Sequence, residues 1–450
     1  MTSEPTHEKP INAEPTKEFF VDMITRDIPL EQAILDLVDN SVDGARRFPK
    51  EGDRPLDGYI VDITIDGEHF RMSDNCGGFG RDVARDYAFR FGRPAGHTML
   101  AHSIGQFGIG MKRALFKFGD HFIVSSATPQ DKWSVDIDLP TWKTEVGWTF
   151  PWAEFPERSN ISNESPGTVI EVDHLRREVS ARFGTSLFIN ALENLIKGKH
   201  RQFIAQGLAI SINGRYLTAT SLSLLFSGLL KPGIDVRRFE GEGVASVDAK
   251  IMAGVGDSVP SLAGWYVVCN GRVILQADRS KETGWGILEE ESAELLIPKF
   301  HNQYARFRGV VYFDSTDAAR VPWNTTKTDV DRESVVWQQT FVRMVEMMRP
   351  VVDFLNKLDR DITERTKEGS SLYQYVASAP RVPAEQLKDQ QTFRAPEIEE
   401  VPMPGPRWVT IQYARPLPDI EFLQDNLHVG SAKAVGEKTF DLALKKQRGE

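Results

Sequence analysis

Two cysteines in 450 residues, Cys76 and Cys269, are too few for a disulfide framework or a cysteine-only zinc site. No apolar run approaches the roughly 20 residues of a membrane span. The nearest, "SLSLLFSGLL" at 221–230, is short and ends at Lys231. The opening "MTSEPTHEKPINAEPTKE" is polar and carries three prolines, so a disordered tail over 1–17 is expected there rather than a secretory signal. Excess positive charge is also missing. The net charge of −10 argues against a surface that tracks nucleic acid throughout. Internal repeats are absent too. A soluble cytoplasmic protein away from membranes is the expectation.

What is present is globular: 40% hydrophobic, 26% charged and 10% aromatic, in a chain long enough for two or three domains. Residues 19–47 read as helical, with Pro29 at the start of a second helix. "GYIVDITIDGEHFRMSDN" (58–75) alternates around a Gly turn and predicts a hairpin. A helix is predicted near 81–92 and another over 111–119. Strands are expected at "HFIVSSAT", "KWSVDIDL" and "GTVIEVDHL". After residue 181 the pattern restarts with a long helix over roughly 185–205. Strands follow at "LAISING", "GWYVVCNGRVILQ" and "FRGVVYFD", then a long helix over 331–362. Six prolines between 377 and 406 mark a linker, and 407–450 forms a small terminal element with the strand-like run "WVTIQYA" and a helical end.

The helix containing "LDLVDNSVDGA" poses the functional question. On a helical wheel Asp36, Asn40 and Asp43 fall within about 60° of each other, opposite Leu30, Ile34, Leu37, Val38, Ser41 and Ala45. Asp39 lies about 60° from Asp36. No cation enters this stripe before Arg46. Two readings fit. One is a solvated face. The other is a set of hard oxygen ligands for hydrated Mg²⁺. "MSDNCGGFG" (72–80) puts an acid before Gly77, Gly78 and Gly80, either as an ordinary turn or as backbone made bare for a ligand. "IGQFGIGMKRA" (104–114) places Gly105, Gly108 and Gly110 at a helix start, an anion cradle. It lacks the Gly-Lys-Ser/Thr ending of a Walker A loop.

The order and spacing of these stretches, with "SPGTVIEV" at 165–172, resemble the GHKL ATPases: gyrase B, the ninety-kilodalton heat-shock chaperones, histidine-kinase ATP domains, MutL and the MORC proteins. The resemblance covers about 18–180, and "IGQFGIGM" is similar to the chaperone branch. It implies an α+β protein with a Bergerat-type α/β sandwich that binds ATP with Mg²⁺. Asn40 would ligate the metal, Asp74 would accept from the adenine amino group, and Asp43 would support that pocket. Gly77 and Gly78 would admit the purine. The lid over the phosphates would comprise Gly105, Gln106, Phe107, Gly108, Ile109 and Gly110, with Lys112 as a further phosphate contact. Thr168 would bond near the adenine.

Two positions depart from the family pattern. The general base is a Glu four residues before the Asn; here it is Asp36, about one C–C bond or 1.5 Å shorter in reach. Cys76 replaces the first Gly of the turn. Beyond 181 the chain resembles MORC-like and chaperone-like members, which implies a ribosomal-protein-S-five-like transducer domain over 181–362, a linker over 363–406 and an interaction element over 407–450. "VPWNTTKTDVD" (321–331) resembles the MORC segment whose lysine enters the ATP site of the same chain, so Lys327 is the expected γ-phosphate sensor. The implied activity is an ATP-dependent homodimeric clamp with slow hydrolysis. Its client would be DNA in a bacterial defence or genome-maintenance setting, or protein in a chaperone-like role. A nucleotide-gated scaffold without turnover is the third reading. A basic groove for DNA, formed only in the dimer, would draw on Lys197, Lys199, His200, Arg201, Arg306 and Arg308, which otherwise read as ordinary surface.

Overall fold

The computed structural model describes residues 14–90, 101–105, 108–157, 159–241, 243–287, 297–397, 411 and 413–449. Residues up to 397 make one compact unit and the remainder a second.

The first sheet grows from the predicted hairpin. α1 (Lys17–Arg26) and α2 (Leu30–Arg46) precede β1 (Ile60–Ile65) and β2 (Phe70–Asp74). A single turn, α3 (Arg81–Val83), continues as a π-helix over Ala84–Ala88. Then follow α4 (Gly110–Phe118), β3 (Gly119–Ala127), β4 (Lys132–Asp138), α5 (Leu139–Thr144) and β5 (Gly167–Leu175). α6 (Arg177–Phe183), α7 (Ser186–Lys199) and α8 (Arg201–Ala205) lead to β6 (Ala209–Ile212) and β7 (Arg215–Tyr216). Strand order is β4-β3-β5-β2-β1-β6-β7, and only β1–β6 is parallel. β1 alternates buried and exposed residues, as a strand with one covered face must. α4 packs on β3 and β5, and α2 packs against α4 and α7.

The boundary expected at residue 180 therefore falls inside this sheet, because β6 and β7 extend it to residue 216. Of the expected tail, residues 1–13 lie outside the described residues. Thr16 accepts from the Phe19 amide as a helix N-cap, and Lys17, inside α1, donates to the carbonyls of Trp142 and Glu145. The helix expected over 185–205 breaks at His200, which separates α7 from α8.

β8 (Ser223–Leu225), β9 (Gly233–Gly241), β10 (Val244–Val255), β11 (Gly264–Cys269), β12 (Arg272–Asp278) and β13 (Phe307–Asp314) follow. β9–β13 form a second sheet in the order β12-β11-β13-β10-β9, with β11–β13 parallel. α9 (Val335–Gly369) packs on β10 and β13. α10 (Ser371–Ser378) and β14 (Arg381–Pro383) come next, and β14 pairs with β8. Leu222, Leu224, Ala384 and Leu387 then pack with Ile234, Met252 and Val310 in one core cluster. The stretch 363–397 is thus folded structure rather than linker. Pro380 precedes and Pro383 ends β14, an edge strand where a missing N–H is tolerated.

The second unit contains α11 (Leu417–Leu427) and α12 (Ala432–Arg448). Most of the strand-like run at 408–414 lies outside the described residues. Among the described residues no helix is long and apolar enough to cross a membrane.

Candidate functional site

A cavity of about 310 Å³ opens between α2, the β2 turn, the residues before α4 and the segment holding Lys327. Its lining includes Asp36, Asn40, Asp43, Asp74, Gly105 and Lys327. The solvated-face reading of α2 fails. Asp36 and Asp39 are buried, and of the polar stripe only Asn40 is well exposed.

Asp74 ends β2 at the cavity wall. Its Oδ2 accepts from Ser41 Oγ at 2.6 Å, and its Oδ1 accepts from the amides of Cys76 (2.9 Å) and Thr168 (3.2 Å). Burial pushes this carboxyl up, and those three donors oppose the shift. A carboxylate oxygen accepts more than one hydrogen bond, so Oδ2 keeps capacity for a ligand donor. Ser41, on the side of α2 expected to be dry, is the residue that aims Asp74. Thr168 also lines the cavity, and its hydroxyl lies 3.2 Å from Ser126 Oγ.

The turn after Asp74 tolerates Cys76 because α2 carries Gly44 opposite. A Cβ on Gly44 would sit 2.7 Å from the Cys76 carbonyl and 3.2 Å from its Cβ. Cys76 is a small packed residue, with its thiol pushed up by burial. Gly78, at φ 59°, is packed where a Cβ would meet the Ala127 carbonyl at 2.1 Å. Gly77 lies beneath Phe48, at 2.9 Å from its would-be Cβ, and does not line the cavity. Of the three glycines in this turn, Gly78 alone lines the cavity.

The lid positions divide. Gln106 and Phe107 lie outside the described residues. Asp43 accepts from the Ile104 amide (2.8 Å) and the Gly105 amide (2.7 Å), so it anchors the lid stem rather than the Asp74 pocket. Gly108 is left-handed at φ 65°. Ile109 is the N-cap residue of α4, and Gly110 opens that helix. Lys112 corrects an expectation. Its side chain is buried and its Nζ donates to the carbonyls of Ala88 and Arg90, at the end of the π-helix. The neighbouring Arg113 lines the cavity instead.

Lys327 does arrive from beyond the second sheet. It is buried at φ 53°, with its Nζ 2.8 Å from Asp39 Oδ2 and 3.5 Å from Asp36 Oδ1. Asp39, the acid passed over on the wheel, is the centre of this cluster. Its Oδ1 accepts from Arg272 Nε (2.9 Å) and His200 Nε2 (2.8 Å). Burial alone would raise Asp39, but Arg272 and Lys327 outweigh it and hold the carboxyl well below its usual range. Burial, then Arg272, pushes His200 down to about 4. The imidazole is therefore neutral at pH 7, with its proton on Nε2. Asp36 behaves oppositely: burial raises it, and Lys327 only partly opposes.

Residues 28–168 match the Histidine kinase-, DNA gyrase B-, and HSP90-like ATPase family. That match supports placing this segment in the GHKL superfamily, which suggests ATP binding. No curated protein matches the chain.

For the metal expected with such a nucleotide, the residues fit. Asn40 presents an amide oxygen 3.5 Å from where a Gly105 Cβ would lie, at the mouth of the lid. No cluster of three His, Cys, Asp or Glu side chains capable of holding a metal occurs among the described residues. Mg²⁺ does not need one, since it keeps waters and phosphate oxygens as most of its ligands.

Three of the six residues expected to line a basic groove in a dimer are turned inward in the single chain. His200, Arg201 and Arg308 are buried, and Arg308 donates to the carbonyls of Ala305, Phe307 and Asp257.

Proposed function

We propose that this chain is a slowly hydrolysing Mg²⁺-ATPase that works as an ATP-gated dimeric clamp. The observation that carries the reading is Lys327, delivered from residues beyond the second sheet to 3.5 Å from Asp36. A phosphate placed at the N-terminus of α4 meets its first-turn amides and the positive end of the helix dipole. Lys327 supplies a point charge there, and Asp36 accepts the proton of the attacking water. Asp74 recognises the adenine amino group. Bound Mg²⁺ would be held by Asn40 and would neutralise phosphate charge. ATP therefore draws the lid, α2 and the Lys327 segment together, and hydrolysis releases them, which makes the motion the product.

A second reading is favoured by Asp36 itself. Its side chain is about one C–C bond shorter than that of Glu and lies beside the Lys327 ammonium, which suits a nucleotide-gated scaffold with negligible turnover. One set of measurements separates these. Hydrolysis is followed with and without duplex DNA or unfolded protein, and the mass of the full chain is measured with a non-hydrolysable ATP analogue. A dimer with slow turnover is expected. A monomer at saturating bound analogue defeats the clamp, and binding without turnover supports the scaffold. The stimulating additive identifies the client.

A further inference from the structure

β11 and β12 are joined by Asn270-Gly271, both at left-handed φ (48° and 86°). This is the tight hairpin turn that Asn-Gly suits. Such tips are ordinarily solvated. Here Cys269, Asn270 and Arg272 are each 0% exposed. Gly271 is pressed against Phe203, whose ring would lie 2.7 Å from an added Cβ.

The buried tip grips two parts of the nucleotide site. Asn270 Nδ2 donates to the Ser103 carbonyl at 3.1 Å, and its Oδ1 accepts from the Ser315 amide at 2.9 Å. Arg46 Nη1 donates both to the Asn270 carbonyl and to the His102 carbonyl. Residues 102–103 run directly into Ile104 and Gly105, which Asp43 holds. The lid stem is thus fastened from α2 and from the second sheet together. Two residues on, Arg272 bonds Asp39, and Asp39 bonds Lys327.

We propose that the Asn270–Arg272 turn is a positioning element that sets the lid stem and Lys327 in one register. Asn270 acts through Ser103, and Arg272 acts through Asp39. Neither residue lines the cavity. This rests on the reading that Lys327 meets the terminal phosphate of ATP. Packing alone does not explain Arg272. Among the described residues its buried Nη2 has no hydrogen-bond partner, a site that an apolar side chain would fill at lower cost.

The test uses the full chain with Mg²⁺ and compares affinity for a non-hydrolysable ATP analogue with affinity for ADP. Only the former has the phosphate that Lys327 meets. Lys327→Ala should remove about tenfold of the preference for the analogue, the size of one charge-assisted hydrogen bond. Arg272→Met should do the same while leaving ADP affinity unchanged, and Arg272→Lys should restore part of it. Combining Arg272→Met with Lys327→Ala should add nothing, because both remove one interaction. Asn270→Ala should weaken the preference about threefold, less than loss of a full charge contact. Equal loss of analogue and ADP binding in Arg272→Met, or an unchanged preference, overturns the proposal. Should Arg272→Met not fold, Arg272→Lys and Asn270→Ala decide: wild-type preference in both overturns it. A wild-type chain that binds neither nucleotide defeats the ATPase reading instead.

Discussion

Gly110 lies directly against Asp36: a Cβ added to Gly110 would sit 3.0 Å from Asp36 Cβ and 3.2 Å from its Oδ2. The first residue of α4 and the expected base on α2 are thus in contact without an intervening side chain. Gly110→Ala must move one of them by a few tenths of an ångström. Misplacement by 1 Å costs about a hundredfold in rate, so a loss of up to about tenfold in turnover is expected. Nucleotide affinity should change far less. Steady-state kinetics beside equilibrium binding checks both, and unchanged turnover removes Asp36 from the chemistry.

Asp36→Asn should bind ATP and lose hydrolysis by at least about a hundredfold, since the amide cannot take a proton. It also leaves Asp39 as the charged partner of Lys327. A variant that hydrolyses at the wild-type rate points to a different base.

Asp74→Asn should keep the fold and lose adenine. The amide oxygen can still accept from the Cys76 and Thr168 amides, while the NH₂ group faces Ser41, whose hydroxyl rotates to accept. The adenine amino group then lacks an acceptor, at a cost of about 1–3 kcal/mol in binding. Calorimetry with ATP against GTP measures it. Equal ATP affinity in wild type and variant removes Asp74 from adenine recognition.

His121 bridges Asp136 (2.7 Å) and Asp173 (2.6 Å) across β3, β4 and β5. Burial opposes its protonation, but the two carboxylates outweigh it and raise the folded value above the ordinary 6.5. Because the folded value is the higher one, protonation stabilises the native state. That contribution is complete below about 6.5 and is lost as pH rises through the raised folded value. Thermal melts of wild type and His121→Gln should therefore differ most at the acid end of the range and converge as it is made alkaline. A gap that widens with pH contradicts the assignment.

Local pattern carried the reading where it was repeated along the chain. The α2 stripe, the β1–β2 hairpin and the glycines before α4 announced themselves by period and spacing. Asp39 did not, because its partners lie 161, 233 and 288 residues away. The one available hint was an acid on a largely apolar helix with no cation within reach. Lys112 misled for the opposite reason. Its place after the lid glycines suits a phosphate, but the side chain turns to the carbonyls of Ala88 and Arg90. The wheel fixes where a Cα sits and says nothing of which neighbour claims the tip. The prolines after residue 377 looked like a break because pairing between β14 and β8 spans more than 150 residues, a distance no window sees.

The junction at β6 bears on how such a protein is inherited. The family match ends at residue 168, but β1 completes its pairing only with residues 209–212. A gene fusion that cut between these points would leave β1 as an open edge beside Val61, Ile63 and Ile65, a template for aggregation. An exchange that keeps this edge covered therefore has to run at least to residue 216. His200 travels with that cassette and keeps its bond to Asp39. Arg272 and Lys327 do not. A new downstream partner would have to supply both cations anew, or leave a buried carboxylate with a neutral imidazole as its companion.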